Sequence, residues 1–192
     1  MAHRDGKGSR DEKIEEIKTR IREYPDFPKP GITFRDVFPL FHHPSLQHTI
    51  VELLKGQIDE KYSNRKIDMI VGIDSRGFLF GPELANALGC NFIPARKKGK
   101  LPGATVTQSY QLEYGSDTLE MQKEYVVAGK CAIIVDDLIA TGGTMAAAYN
   151  LLTNSGVEVL ECQCLVELPE LHGRDKLPKQ CPVFCLVEYG GC

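Results

Sequence analysis

The sequence lacks any apolar run that could cross a membrane, since no stretch approaches the ~18 consecutive apolar residues that a spanning helix needs. Its first 13 residues are polar and mixed in charge, and they lack the apolar core of a secretion signal. These two absences predict a protein that is not associated with membranes and that stays in the cytoplasm.

The chain also lacks a strong excess of either charge. Its 192 residues include 23 Lys and Arg against 26 Asp and Glu, which leaves a net charge of −3. So small an imbalance gives no general attraction to nucleic acids or anionic membranes. Any anionic ligand must therefore meet a local basic cluster. The length predicts one domain with a substantial core.

Metal-ligand spacing is missing too. The 7 cysteines show no repeated C-x2-C pairs, and most lie in or beside apolar runs, which predicts reduced, buried thiols. The histidines have no carboxylates at ligand spacing, and they are expected at the surface or at helix caps: His42, His43, His48 and His172.

What the sequence does contain is a regular alternation of short apolar segments and helical patterns. Helices are predicted at 10–23, 44–61, 77–88 and 143–154. Strands are predicted at 69–73, 91–95, 131–135, 157–166 and 183–189. This alternation predicts an α/β fold, a mostly parallel sheet with helices on both faces.

Two segments break the alternation. Residues 24–36 are rich in proline and are predicted to be irregular. Residues 105–122 are polar and alternating, which predicts a hairpin with its turn at Gly115–Asp117.

Polar residues follow three of the predicted strands at the point where each strand ends. They are Asp74–Arg76, Arg96–Lys98 and Asp136–Asp137. An open parallel sheet binds its ligand at the carboxyl ends of its strands. We therefore expect these residues to converge on one site.

The loop Ala140–Thr144, between a strand and a helix, has the composition of a phosphate cradle. Small residues let backbone N–H groups approach an anion, and a helix N-terminus adds a favourable dipole. Without the Walker lysine, the loop suits a terminal monophosphate. The adjacent Asp136 and Asp137 would repel phosphate but accept hydrogen bonds from hydroxyls, so a ribose 5-phosphate fits both features. A solvated acidic pair beside an ordinary glycine turn would explain either feature alone.

The stretch VDDLIATGGT at 135–144 resembles the phosphoribosyl-pyrophosphate (PRPP) signature of type I phosphoribosyltransferases. Four further stretches narrow the resemblance to the adenine phosphoribosyltransferase family: PGITFRD at 30–36, DSRGFLFG at 74–81, RKKGKLPG at 96–103 and YQLEYG at 110–115. The match covers about residues 24–189 in the family's order.

The resemblance implies the type I phosphoribosyltransferase fold. Residues 1–23 would form an N-terminal tail and helix, and residues 24–192 a single domain. That domain would carry a hood at about 24–40 and a flexible hairpin lid at about 104–122.

The implied function is purine salvage: transfer of the phosphoribosyl group of PRPP to adenine, giving AMP and pyrophosphate. Mg²⁺ is implied as cofactor, held mainly by substrate oxygens and water, and a homodimer is also implied. The implied contacts are Asp136 and Asp137 with ribose; Ala140, Thr141, Gly142, Gly143 and Thr144 with the 5′-phosphate; Asp74, Ser75, Arg76, Lys97 and Lys100 with pyrophosphate; and Thr33, Phe34 and Arg35 with adenine.

Further implied roles are less visible in composition. Glu113 would otherwise be an exposed hairpin residue, but an oxocarbenium-like centre must be shielded from water, so a lid that delivers an acid/base carboxylate suits the reaction. Tyr114 would help the lid to close, and Arg96 would reach a neighbouring subunit's site. The Asp74–Ser75 peptide would be cis, with its N–H directed at pyrophosphate.

Local alternatives exist for these segments. The RKKGK run could be a solvated or nucleic-acid-binding patch, Asp74 or Ser75 a helix cap, and the hood a packed linker. For the whole chain, the rivals are a 6-oxopurine or xanthine phosphoribosyltransferase and a PRPP-binding regulator without turnover.

Overall fold

This computed structural model describes residues 8–111 and 116–190. The helices are α1 Arg10–Arg20, α2 Phe38–Phe41, α3 Pro44–Tyr62, α4 Gly81–Leu88 and α5 Gly143–Asn154. The strands are β1 Arg22–Tyr24, β2 Phe34–Asp36, β3 Met69–Ile73, β4 Asn91–Lys97, β5 Thr105–Gln111, β6 Ser116–Gln122, β7 Cys131–Ile139, β8 Glu158–Glu167 and β9 Val183–Glu188. In this part of the chain, no helix is both long and apolar enough to span a bilayer.

Seven of the described strands form one sheet, in the order β5-β6-β4-β3-β7-β8-β9. Strands β4, β3, β7, β8 and β9 are parallel, whereas the β5–β6 hairpin joins β4 in antiparallel fashion. The predicted α/β fold with a mostly parallel central sheet is confirmed.

The apolar strands are buried on both faces, as expected for parallel strands with helical crossovers. Ile70 of β3 and Ile133 of β7 join the core cluster that contains residues of α1 to α4. Val71 and Ile134, one residue further along, join the opposite cluster, which contains residues of α5. Alternation along each strand thus supplies both cores.

Local signals explain where two of the helices begin. Ser9 caps α1 in a reciprocal capping box with Glu12, and Ile17 anchors this helix in the core. Pro44 opens α3, where its missing N–H is not needed, and Ile50, Leu54 and others form the buried stripe.

Two strands extend further than their apolar runs. Because β8 pairs with β7 as far as Ile139, Asp136 and Asp137 lie within β7 rather than after it. Similarly, β4 continues to Lys97, where it pairs with Leu119 of β6. Backbone pairing, not side-chain polarity, determines these ends.

Three local predictions need correction. The turn predicted at Gly115–Asp117 is wrong, because Ser116 and Asp117 already belong to β6 and pair with β5. The helix predicted at 77–88 is divided into a 3-10 turn, Arg76–Leu79, and α4. The segment 24–36 is not wholly irregular, since β2 pairs with β1.

The chain leaves β3 for β4 on one side of the sheet and later returns to β7 on the other side. The strand order therefore reverses between β3 and β7. In open α/β sheets, ligands bind at such a switch point, in the crevice beyond the carboxyl ends of the strands.

Candidate active site

A cavity of about 490 Å³ lies at this switch point, within the range of roughly 300–1,000 Å³ typical of small-molecule sites. The predicted site residues that line it are Asp74, Ser75, Arg76, Lys97, Asp136, Asp137, Ala140, Thr141, Gly142, Gly143 and Thr144. The structure thus brings together residues from three strand ends that are far apart in sequence.

The loop between β7 and α5 depends on a glycine. Gly142 precedes α5 with φ at +74°, and a Cβ added there would lie 2.0 Å from the carbonyl oxygen of Gly173. Both the left-handed backbone and the close approach exclude larger residues. The turn at Gly173, which the sequence did not single out, is therefore a wall of this loop.

The turn after β3 lies equally close to β7. A Cβ on Gly77 would lie 2.6 Å from the carbonyl oxygen of Val135. This contact holds Asp74–Arg76 beside the acidic pair of β7. The Asp74–Ser75 peptide is cis, as the resemblance implied.

The acidic pair is partly neutralised by a cation. Arg76 Nε donates to Asp137 Oδ2 at 2.5 Å, and the Asp137 side chain is only 4% exposed. The backbone N–H of Asp137 donates to Asp136 Oδ1 at 2.9 Å. Burial, and then the neighbouring Asp137 carboxylate, raise the pKa of Asp136 well above its ordinary value.

The other cations at the rim also have carboxylate partners. Lys97 Nζ lies 2.9 Å from Asp117 Oδ2. Their hydrogen bond raises the pKa of Lys97 and lowers that of Asp117. Arg96 Nε donates to Asp74 Oδ2 at 2.8 Å, and its Nη1 donates to the carbonyl of Lys100 at 3.2 Å. Lys100 itself is exposed and does not line the cavity.

The hood approaches the cavity through Phe34. The guanidinium carbon of Arg76 lies 5.8 Å from the centre of the Phe34 ring, and Phe27 packs edge-on against that ring at 5.2 Å. Arg35 is buried, lies 4.3 Å over the Tyr189 ring and forms an ion pair with Glu23. Thr33 is half-buried and does not line the cavity.

Sequence reasoning missed several lining residues. They are Ile73, Tyr110, Asp117, Leu119, Leu138, Ile139 and Met145. Tyr110 and Asp117 are direct partners across the β5–β6 hairpin. The mistaken turn at 115–117 hid Asp117, whereas the period-2 alternation of the hairpin would have placed it opposite Tyr110. The predicted lid residues Glu113 and Tyr114 lie outside the described residues.

Comparison with known proteins identifies the family of this chain. The phosphoribosyl transferase domain matches residues 40–188, so the chain belongs to that family. "Adenine phosphoribosyltransferase 3" of Arabidopsis thaliana is 50% identical over 183 residues, which is 95% of this chain and 97% of that protein. The adenine phosphoribosyltransferase of Rattus norvegicus is 51% identical over 173 residues, 90% of this chain and 95% of that protein.

Solved structures of similar fold support the same family. Adenine phosphoribosyltransferase from Saccharomyces cerevisiae, complexed with an imino-altritol bisphosphate and adenine, has a TM-score of 0.89 and 46% identity, and covers 92% of this chain and 99% of its own. Within its family, the chain therefore groups with the adenine phosphoribosyltransferases. The predicted resemblance and type I fold are confirmed.

Proposed function

We propose that this protein transfers the 5-phosphoribosyl group of PRPP to adenine, giving AMP and pyrophosphate, in purine salvage. The observation that carries the proposal is a single cavity that combines the Ala140–Thr144 loop, the carboxylates of Asp136 and Asp137, and the cations Arg76 and Lys97. Each group matches one part of PRPP. The identity to adenine phosphoribosyltransferases over nearly the full chain supports the same reaction.

Binding of PRPP follows from the charges around the cavity. The loop before α5 offers backbone N–H groups and the hydroxyls of Thr141 and Thr144 to the 5′-phosphate. Asp136 and Asp137 accept hydrogen bonds from the 2′- and 3′-hydroxyls. These contacts orient C1′ toward the hood and the pyrophosphate toward Arg76 and Lys97.

The leaving pyrophosphate is stabilised by cations at the rim. Lys97 now pairs with Asp117, and Arg76 with Asp137, so pyrophosphate competes with these carboxylates as it binds. The backbone of Asp74–Ser75 and the ammonium of Lys100 complete the proposed set. Local positive charge stabilises the developing anion, once PRPP has displaced the carboxylate partners of these cations.

Proton transfer is assigned to Glu113, in the connection between β5 and β6. As a ring nitrogen of adenine bonds to C1′ and the C1′–O bond to pyrophosphate breaks, a proton must leave the base, and the Glu113 carboxylate accepts it. Tyr114 helps to exclude water from the cationic centre. Residues 104–122 form the proposed lid.

Selection of adenine is assigned to the main chain of Thr33 and Arg35, in the hood at 24–40. Adenine presents an N6 donor beside an N1 acceptor, which a C=O and an N–H can match. The Arg35 side chain is engaged with Tyr189 and Glu23, so only its backbone is available for the base. Phe34 would stack on the ring.

Mg²⁺ is the proposed cofactor. Among residues 8–111 and 116–190, no group of three or more His, Cys, Asp or Glu side chains could hold a metal ion. The oxygen-rich, acidic rim nevertheless fits a cation that arrives with PRPP and keeps its water and substrate ligands. When bound, Mg²⁺ would offset the charge of pyrophosphate.

We also propose a cytoplasmic homodimer in which Arg96 contributes to the neighbouring site. In one subunit, the Arg96 guanidinium binds Asp74 and the carbonyl of Lys100, so this role requires one of those contacts to be exchanged.

The test is pyrophosphate release from PRPP and Mg²⁺ with adenine, hypoxanthine, guanine or xanthine offered separately. We expect release with adenine alone. Release with a 6-oxopurine would leave the PRPP site in place but overturn the assignment of selectivity to the hood. No release with any base, together with tight PRPP binding, would indicate a binding-only regulator.

A further inference from the structure

Glu120 is a buried carboxylate beneath the basic turn that follows β4. Its relative exposure is 3%. Its Oε1 accepts the backbone N–H of Lys100 at 2.8 Å and that of Leu101 at 2.9 Å. It lies opposite Arg96 in the β4–β6 pairing and does not line the cavity.

The backbone around Glu120 favours its charged form. Burial by itself raises the pKa of Glu120, but hydrogen bonds from the backbone N–H groups of Leu101, Gly99 and Lys100 outweigh burial, so the pKa ends below its ordinary value. Consecutive N–H groups that converge on one anion form a concave anion-binding turn. Here the anion is a side chain of the protein itself.

The same turn is also held by the Arg96 side chain and by the backbone of β6. The carbonyl of Lys100 accepts from Arg96, whose Nε binds Asp74 at the switch point. The N–H of Lys98 donates to the carbonyl of Thr118 at 2.8 Å. Together with the bonds to Glu120, these contacts hold the backbone at all four residues from Lys98 to Leu101. Lys97, at the start of this turn, lines the cavity.

We propose that Glu120 is a positioning residue for pyrophosphate: its carboxylate holds the turn 97–101, which carries Lys97 at the cavity and Lys100 on the exposed rim, in one conformation. This inference rests on the proposed function of the same site. A flexible cation loses side-chain and backbone entropy when it binds, and a turn that is already folded reduces that loss. Charge-assisted bonds from N–H groups are about twice as strong as neutral ones.

Two substitutions separate the effect of the Glu120 charge from the effect of its hydrogen-bond acceptor. Glu120→Gln keeps a carbonyl oxygen that can accept both N–H groups but removes the charge, whereas Glu120→Ala removes the acceptor. The matched control is Glu161→Gln. Glu161 is also a fully buried carboxylate of the sheet, but it pairs with Lys61 of α3, away from the cavity.

We expect KM for PRPP to rise about tenfold or more in Glu120→Ala and by a smaller factor in Glu120→Gln. KM for adenine should stay within about twofold in both variants, because the proposed contacts with adenine lie in the hood and not in this turn. Glu161→Gln should lower Tm without changing KM for PRPP. Hydrogen exchange at the amides of Lys100 and Leu101 should accelerate in Glu120→Ala alone.

Titration with inorganic pyrophosphate gives a readout that does not need turnover. If wild-type protein releases no pyrophosphate with any base, the proposed function fails, and the titration still decides the role of Glu120. Affinity that falls in the Glu120 variants but not in Glu161→Gln supports the positioning role. Unchanged affinity despite faster exchange at Lys100 would overturn it, as would an equal rise in both KM values. If Glu120→Ala does not fold, Glu120→Gln decides: a weaker affinity for pyrophosphate supports the positioning role, and an unchanged affinity overturns it.

Discussion

Asp136 and Asp137 are adjacent carboxylates, but they have different partners within the described residues. Asp137 accepts from Arg76 at 2.5 Å, whereas Asp136 accepts from the backbone N–H of Asp137 at 2.9 Å. Two like charges at the edge of a buried sheet oppose folding. The pair is therefore expected to lower the folding stability of the free protein while it accepts hydrogen bonds from bound ribose.

We predict that Asp136→Asn raises Tm at neutral pH while it weakens PRPP binding. Because the folded pKa of Asp136 is raised, the folded protein holds a proton there more readily than the unfolded chain. The stability contributed by this group is present below the unfolded pKa and is lost as pH rises through the folded pKa. The gain from Asn should therefore appear at pH 7 and vanish in acid.

Thermal unfolding of both proteins across pH measures this effect, at roughly 2–4 °C in Tm for each kcal/mol in a protein of this size. KM for PRPP should rise about tenfold or more, because Asn can still accept a hydrogen bond but lacks the charge that strengthens it. A variant that is less stable than wild type at pH 7 would contradict the prediction.

At the scale of elements, the site is formed where β7, its loop and α5 meet the turn Gly173–Lys176. The contact is backbone against backbone: a Cβ on Gly173 would lie 2.3 Å from the carbonyl oxygen of Ala140. Protein interiors transmit such misfits because they are close-packed. The shape of the phosphate loop therefore depends on a segment about thirty residues later in the chain.

We predict that Gly142→Ala lowers the free energy of unfolding by about 2 kcal/mol or more and abolishes PRPP binding. The added Cβ would meet the carbonyl oxygen of Gly173 at 2.0 Å, so the loop must shift. The control is Gly129→Ala, which has a similar φ of +79° but open space around the added atom. It should cost only about 1–2 kcal/mol and leave PRPP binding intact.

Urea unfolding and PRPP titration of the two variants make the comparison. Equal effects of both substitutions on PRPP binding would mean that general destabilisation, and not the close approach at Gly142, causes the loss of binding.

At the scale of the whole molecule, β8 joins the two core clusters on the two faces of the sheet. Leu165 and Val166 of β8 belong to one cluster, and Cys162 and Cys164 to the other. All six described cysteines are unpaired, and Cys162, Cys164 and Cys181 are buried. A buried interior strand of this kind is expected to open only when the whole domain unfolds.

We predict that Cys162 and Cys164 react with iodoacetamide only through global unfolding. The hydrogen-bonded contact with Cys181, whose Sγ lies 3.7 Å away, together with burial, raises the pKa of Cys162. Burial likewise raises the pKa of Cys164. Little thiolate is then available in the folded protein. Half-buried Cys131 serves as the internal control.

Pulsed labelling with mass spectrometry at increasing urea measures this. The labelling of Cys162 and Cys164 should follow the global unfolding curve, whereas Cys131 should react at low urea. Rapid labelling of Cys162 in native protein would indicate that β8 and β9 open locally.

The sequence by itself predicted the alternation of helices and parallel strands, which is confirmed, and a chemistry for the site, which stays a prediction. Strand runs such as 69–73 and the helix opened by Pro44 are local signals, since periodicity and capping act within one or two turns of chain. The acidic pair and the loop Ala140–Thr144 were also predicted from the sequence as ligands of ribose and phosphate. Those ligands require such residue types next to each other along the chain.

Only the tertiary structure decided which charges meet. Lys97 with Asp117, Arg96 with Asp74, and Glu120 with the turn at Lys100 depend on the register between β4 and β6 and on the crossover from β3. No local pattern encodes these pairs, because each joins residues that are remote in sequence or on different elements. A shift of one residue in the strand register would also turn the side chains to the other face of the sheet. The burial of Glu120 also depends on the tertiary structure. In the sequence, Glu120 is one more charged residue of a polar hairpin. In the fold, the sheet buries it beneath three backbone N–H groups, and its carboxylate holds the turn to which they belong.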